Sequence, residues 1–215
     1  MELKVTRSGS ITDPVGFEAA AVAAGIKPSG KSDMALVVNR AGCVAAGVFT
    51  RNKIVASPVK LTHRALADGS LRAVVFNSGN ANACNGSVGD RNASEEQSLV
   101  AELVGVDPGE VGVCSTGLLG EQLPMSNVRA GIAELSRSVA GDAASGHAAA
   151  EAILTTDTCT KEVVVESDGW KIAGMAKGVG MMAPSLATML VLLTTDAVVS
   201  STLLQRAWGC RRGDV

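Results

Sequence analysis

The stretch Pro184-Ser-Leu-Ala-Thr188-Met-Leu190 places a hydroxyl between the glycine pair Gly178-Val-Gly180 and the apolar run Met189 to Leu193. A free threonine α-amine can act as general base for its own hydroxyl, which is one way to activate a weak nucleophile. Cutting the Ala187–Thr188 bond would create that pair on Thr188. The new amine would titrate at about 7.7 to 8.0, so it could take a proton at neutral pH without special burial. The plain alternative is a strand threonine whose hydroxyl bonds a neighbouring carbonyl, and local pattern alone favours it.

Other segments carry chemistry-bearing residues in less telling patterns. Thr116-Gly117 follows the short apolar run Val111 to Cys114, and a glycine after a strand lets backbone amides point at a developing oxyanion. Spacing alone reads it as an ordinary turn. Lys177 stands just before the glycine pair and could be a solvated surface charge. Thr155 and Thr156, in Leu154-Thr-Thr-Asp157, could simply cap a helix or start a turn.

Lys177-Gly-Val-Gly-Met-Met-Ala-Pro-Ser-Leu-Ala-Thr188-Met-Leu, followed by Thr194-Thr-Asp-Ala197, resembles the self-cleavage region of the ornithine acetyltransferase family. These are the bifunctional glutamate N-acetyltransferases of arginine biosynthesis. Gly47-Val-Phe-Thr-Arg-Asn52, Asn77-Ser-Gly-Asn-Ala-Asn-Ala-Cys84, Cys114-Ser-Thr-Gly117 and Leu154-Thr-Thr-Asp157 match in the family's order, so the resemblance covers residues 14 to about 200. It implies a layered α/β sandwich of the self-processing type. It also implies cleavage at Ala187–Thr188 through an N-to-O acyl shift.

The same resemblance implies transfer of acetyl from N-acetylornithine to glutamate through an acetyl-threonine on Thr188. It assigns Thr116 and Gly117 to an oxyanion hole, and Lys177 with Thr155 (or its neighbour Thr156) to substrate binding. Both substrates carry carboxylates that need a fixed cation. No metal or organic cofactor is implied; acetyl-CoA would be a co-substrate in a bifunctional member. Relatives are expected as heterotetramers of two α and two β chains. The nearest enzymatic rival is a self-processed aminopeptidase.

The resemblance divides the chain into an α-chain-like part, residues 1–187, and the start of a β-chain, residues 188–215. The match fades after Ala197, and Trp208-Gly-Cys-Arg-Arg-Gly-Asp-Val215 does not resemble the family. A second chain truncated to the 28 residues 188–215, through a shifted reading frame or a premature stop near Leu204, is therefore expected. Such a chain could be a catalytically inactive fragment.

Composition narrows the rest. The 215 residues are 47% apolar and 2% aromatic, with 24 glycines, which suits close backbone packing and many turns. A net charge of −2, with charges spread along the chain, makes no basic stripe for nucleic acid. The amino terminus lacks the long apolar core of a secretory signal, and no run reaches the roughly 18 apolar residues of a membrane span. Five cysteines without CxxC spacing and two histidines make a zinc site a poor reading, and buried reduced thiols in a cytoplasmic protein are expected.

To position these residues the pattern predicts a mixed α/β fold. Strands are expected over Met34–Val38, Ala45–Phe49, Leu71–Phe76 and Val111–Cys114, with Asn77–Asn82 a loop and Ser115–Gly117 a sharp break. A hairpin should join Val163–Val165 to Trp170–Ala173, and Met189–Leu193 should be a central strand. Helices are expected over Asn92–Val104, Met125–Ser136, Ala143–Leu154 and from Ser201 to Ala207.

Overall fold

Strand alternation builds the central layer of this protein. The computed structural model describes residues 2–180 and 189–209. One four-stranded sheet contains β2 (Phe17–Val22), β3 (Met34–Val44), β4 (Ser70–Asn80) and β5 (Val111–Leu118), in that order. The first two pairings are antiparallel and β4–β5 is parallel.

Every strand of this sheet except β5 is buried on both faces at its middle, and alternate residues serve two cores. Ala20, Val22, Met34, Leu36, Val38, Ala73, Val75, Val111 and Val113 face one way. There they meet α1 (Ser57–Ala65), α2 (Gly86–Val104) and α3 (Met125–Ser138). Ala19, Ala35, Val37 and Phe76 face the other way, toward Ala149, Ala150 and Ala152 of α4 (Ala143–Ala152) and Met175. The small side chains of α4 let its backbone sit close to the sheet. Full burial of a residue such as Phe76, 2% exposed, stabilises the fold by about 1.5–3 kcal/mol.

Met175 belongs to the second four-stranded sheet, ordered β1 (Lys4–Thr6), β6 (Lys161–Ser167), β7 (Trp170–Lys177) and β8 (Leu190–Thr195), antiparallel throughout. The layers are therefore three helices, a sheet, then α4 with the second sheet: the α/β sandwich expected. A fifth helix, α5 (Ser201–Gly209), ends the described chain. The hairpin β6–β7 turns at Asp168-Gly169, as the sequence suggests.

Several expectations change. Asn39-Arg-Ala-Gly42 does not separate two strands: β3 runs through it to Val44 with a register shift between Val38 and Cys43, and Ala45–Phe49 forms no strand. From Val38 to Cys43 β3 advances five residues while β4 advances two, Ala73 to Leu71, so the irregularity absorbs three extra residues without ending the strand. Asn77–Asn80 is strand, not loop, and Ser115–Leu118 continues beside it, so neither break exists. The pairing Asn77↔Ser115, Ser78↔Thr116 and Gly79↔Gly117 supplies backbone partners that override turn propensity. The asparagine amides add their own bonds: Asn77 Nδ2 donates to the Asn80 carbonyl at 2.8 Å, and Asn80 Oδ1 accepts from the Asn82 amide at 2.8 Å.

Helix α2 begins at Gly86, six residues before the expected Asn92. Strand β8 lies at the edge of its sheet, not at its centre. Its apolar run misleads because Leu190 and Leu192 pack on the core while Val191 and Leu193 stand exposed on the outer face. The expected burial of the thiols fails at Cys84 and Cys159, which are exposed, and holds in part at Cys43 and Cys114, which are half-buried residues.

Candidate active site

Three of the residues singled out from sequence meet where β5, β7 and the segment after α4 converge. Lys177, the last residue of β7, is only 4% exposed, so it is no solvated surface charge. Its Nζ donates to Thr155 Oγ1 at 2.7 Å and to Thr116 Oγ1 at 3.2 Å. Those partners lie 22 and 61 residues away in sequence. Thr155 sits in the connection from α4 to β6, and Thr116 on β5 is 2% exposed. Of the two adjacent threonines, Thr155 carries the bond to the ammonium.

Gly117 is held against the neighbouring strand. Its φ is +134°, and a Cβ there would lie 2.3 Å from the carbonyl carbon of Gly79 and 2.5 Å from the amide nitrogen of Asn80. Only a residue without a side chain fits both the dihedral and the spacing. The Thr116-Gly117 backbone is thus fixed by β4 rather than by a turn. Ala187 and Thr188 lie outside the described residues, so the nucleophile and cleavage site predicted from sequence have no geometry here.

Charge is concentrated around Lys177. Burial holds its pKa below the ordinary lysine value, Asp157 opposes that shift, and Lys161 adds to it. A second cation, Lys27, is similarly lowered by burial, against the pull of Asp33 and with help from Lys31 and Lys177. Lys27 Nζ donates to the carbonyls of Ser32 at 2.7 Å and Ala152 at 3.2 Å. Ser78, paired with Thr116 across the strands, donates its hydroxyl to the same Ala152 carbonyl. The segment holding Lys27 is fixed by Asp33, which is wholly buried and accepts from the amides of Ala24, Ile26 and Lys27 at 2.6–2.9 Å.

Sequence reasoning missed Lys27, Asp33 and Ser78. A lysine in a polar loop and a serine in an asparagine-rich strand carry no pattern that distinguishes them from surface residues. Asp157 was visible only as the end of Leu154-Thr-Thr-Asp157.

The ammonium and hydroxyl groups gathered here are of the kind acyl chemistry uses. The Cys114 thiol, two residues before Thr116, is pushed up to about 12 by burial and by Glu96, so it carries almost no thiolate at neutral pH. Among the described residues no group of three His, Cys, Asp or Glu is placed to hold a metal. Likewise, no described helix is long and apolar enough to cross a membrane. What remains is a buried ammonium bonded to two hydroxyls, beside a strand whose backbone is held rigidly at Gly117.

Comparison with known proteins gives the same direction. The model of the ArgJ family matches residues 18–211. The arginine biosynthesis bifunctional protein ArgJ of Mycobacterium leprae is 50% identical over 213 residues, which cover 96% of this chain and 52% of that protein. The chain spans about half the length of the curated relatives it matches. Among solved structures, ornithine acetyltransferase from Mycobacterium tuberculosis, complexed with ornithine, superposes with a TM-score of 0.83 at 46% identity. The match covers 86% of this chain and 100% of that one. ArgJ from Bacillus halodurans superposes with a TM-score of 0.79 at 34% identity, over 88% and 98% of the two chains.

Proposed function

The chain belongs to the ArgJ family, and from that membership we propose that it is the nucleophile-bearing part of an acetyltransferase that moves acetyl from N-acetylornithine to glutamate. The observation that carries the reading is the buried Lys177 ammonium, bonded to Thr155 and Thr116 beside the clamped Gly117. A carboxylate-bearing substrate needs such a fixed cation. An acyl-transfer oxyanion needs donors that are already in place when charge develops.

In this reading the Thr188 hydroxyl attacks the Ala187 carbonyl, the C–N bond breaks, and an ester joins the two segments while the Thr188 amine is freed. Water hydrolyses the ester, leaving a carboxylate on Ala187 and the Thr188 hydroxyl intact. The freed amine then takes the hydroxyl proton as Thr188 attacks the acetyl carbonyl of N-acetylornithine. Ornithine leaves with that proton on its amine. The amine of glutamate attacks the acetyl-threonine in turn, N-acetylglutamate departs, and the hydroxyl is restored.

Thr116 suits the oxyanion role because its oxygen already accepts from Lys177, which orients and polarises the hydroxyl as a donor. Lys177 and Thr155 would hold the substrate carboxylate or its neighbouring polar groups. No organic cofactor enters these steps; acetyl-CoA would serve as a second acetyl donor in a bifunctional enzyme. A division of the polypeptide is supported by the proportions of the relatives. Part of this chain covers the solved M. tuberculosis chain to its full length, while the curated relatives run about twice as far as this chain. A tetramer of two α and two β chains, working in the cytoplasm, completes the proposal.

Intact mass with amino-terminal sequencing of the purified chain tests it. A product beginning Thr188-Met-Leu, absent from Thr188→Ala, and acetyl-glutamate formation that the same substitution abolishes, are expected. An uncut chain, or turnover that survives loss of the hydroxyl, would overturn the assignment.

A further inference from the structure

Asp157 follows Thr155 by two residues, and its side chain is 0% exposed. Its Oδ1 accepts from the backbone amide of Gly178 at 2.8 Å and from Lys161 Nζ at 2.5 Å. The other oxygen, Oδ2, is buried with no hydrogen-bond partner. Burial works against its ionisation, but the bonds from Lys161 and Gly178 and the charges of Lys161 and Lys177 hold the carboxyl below its ordinary value. A carboxylate in this position is stable only because cations face it.

The bond to Gly178 matters because of where Gly178 stands. It is the first residue after β7, next to Lys177, and has a φ of +146°. The sheet pairs Lys177 with Leu190, but Gly178 lies beyond the end of that ladder. Asp157 is the anchor the structure gives it. Among the described residues, the same carboxylate is the anion that acts on Lys177, and the other charges coupled to it, Lys161 on β6 and Lys27 on the loop after β2, are both cations.

We propose that Asp157 is a positioning residue for this site: its carboxylate pins the backbone at Gly178 and counters the charge of Lys177, which keeps the ammonium aimed at Thr155 and Thr116. The backbone at the Lys177–Gly178 junction then leaves the sheet in one fixed direction. The bonds from Gly178 and Lys161 to Asp157 carry the juxtaposition; its consequence for catalysis rests on the acetyltransferase reading above.

Two variants of the full chain separate the two parts. Asp157→Asn keeps an oxygen acceptor for Gly178 but removes the charge, whereas Asp157→Ala removes both. The readouts are amide hydrogen exchange at Gly178 and the pH titration of the Lys177 side chain, both by NMR. Loss of a hydrogen bond to a charged acceptor should speed Gly178 exchange by about tenfold or more in Asp157→Ala. Asp157→Asn should show a smaller change. The Lys177 titration should move to lower pH in both.

Self-cleavage, followed by mass, should slow by roughly 10- to 100-fold in Asp157→Ala and be partly rescued in Asp157→Asn, because small misplacements near reacting atoms cost rates of that order. Unchanged Gly178 exchange and Lys177 titration would overturn the proposal and leave Asp157 as an ion-pair partner of Lys161 only. If Asp157→Ala fails to fold, the Lys177 titration in Asp157→Asn decides. If both NMR readouts move as stated in a chain that does not cleave, the positioning role stands and the acetyltransferase reading is what falls.

Discussion

Replacing Gly117 with alanine tests whether β4 fixes the proposed oxyanion strand. The new Cβ would lie 2.3 Å from the Gly79 carbonyl carbon and 2.5 Å from both the Gly79 oxygen and the Asn80 nitrogen. Carbon contacts settle at about 3.5–4.0 Å, so β4 and β5 would have to part locally by about 1 Å. That loosens the parallel pairing around Gly79 and Asn80, at about 1 kcal/mol for each hydrogen bond lost. Holding alanine at a φ of +134° adds about 1–3 kcal/mol. The sum is roughly 3–5 kcal/mol. For a domain of this size about 2–4 °C accompany each kcal/mol, so the melting temperature should drop by roughly 6–20 °C. Gly120→Ala is the control: its φ is +82°, but nothing lies within 4 Å of the added Cβ, so only the dihedral cost of about 1 kcal/mol applies. Thermal unfolding followed by circular dichroism, at one scan rate for all three proteins, measures the difference. A Gly117→Ala protein that melts with Gly120→Ala would refute the argument, because the close approach of the strands would then cost nothing.

Two further outcomes follow from the layers around that strand. Glu96, wholly buried on the sheet-facing stripe of α2 with neither oxygen hydrogen-bonded, is raised by burial from 4.5 to about 8. The native state therefore keeps a proton that the unfolded chain releases between those values, so stability should fall as pH rises from about 4.5 to about 8, by on the order of a few kcal/mol. Glu96→Gln should flatten that part of the profile in urea unfolding between pH 5 and 9, and a variant that tracks the parent would sink the assignment. Thr62 on α1 covers the open edge of β5: its Oγ1 donates to the Val113 carbonyl at 2.7 Å and accepts from the Val113 amide at 2.8 Å. Thr62→Val should cost roughly 2–4 kcal/mol by leaving two buried backbone groups unpaired, while Thr62→Ser stays near the parent; equal urea midpoints for both would show that the edge is satisfied some other way.

The elements that were legible in sequence are those whose physics is local. Helix α3 and helix α4 begin at the residues expected, Met125 and Ala143, because their apolar periodicity and the Asp142 cap, which accepts from the Ser145 amide at 2.7 Å, depend only on near neighbours. The β6–β7 hairpin was legible for the same reason: Asp168-Gly169 supplies its turn chemistry within the segment. Two of the expectations that failed needed a partner strand to be seen. Asn77–Asn80 looks like a loop until β5 is laid alongside it, and Met189–Leu193 looks central until one sees that no described strand lies beyond β8.

The candidate site divides along the same line. Sequence alone determined the kinds of residue involved and, through a continuous resemblance, the family and the roles that resemblance implies for Thr116, Gly117, Thr155, Lys177 and Thr188. It could not determine that Lys177 is buried, that Thr155 and Thr116 are its partners, or that Asp157, Lys27 and Ser78 surround it. Those facts depend on strands of two different sheets whose side chains meet across 61 residues, and on a helix wedged between those sheets. Burial and charge proximity are properties of the packed layers, and only the tertiary structure turns a lysine before a glycine pair into a fixed cation.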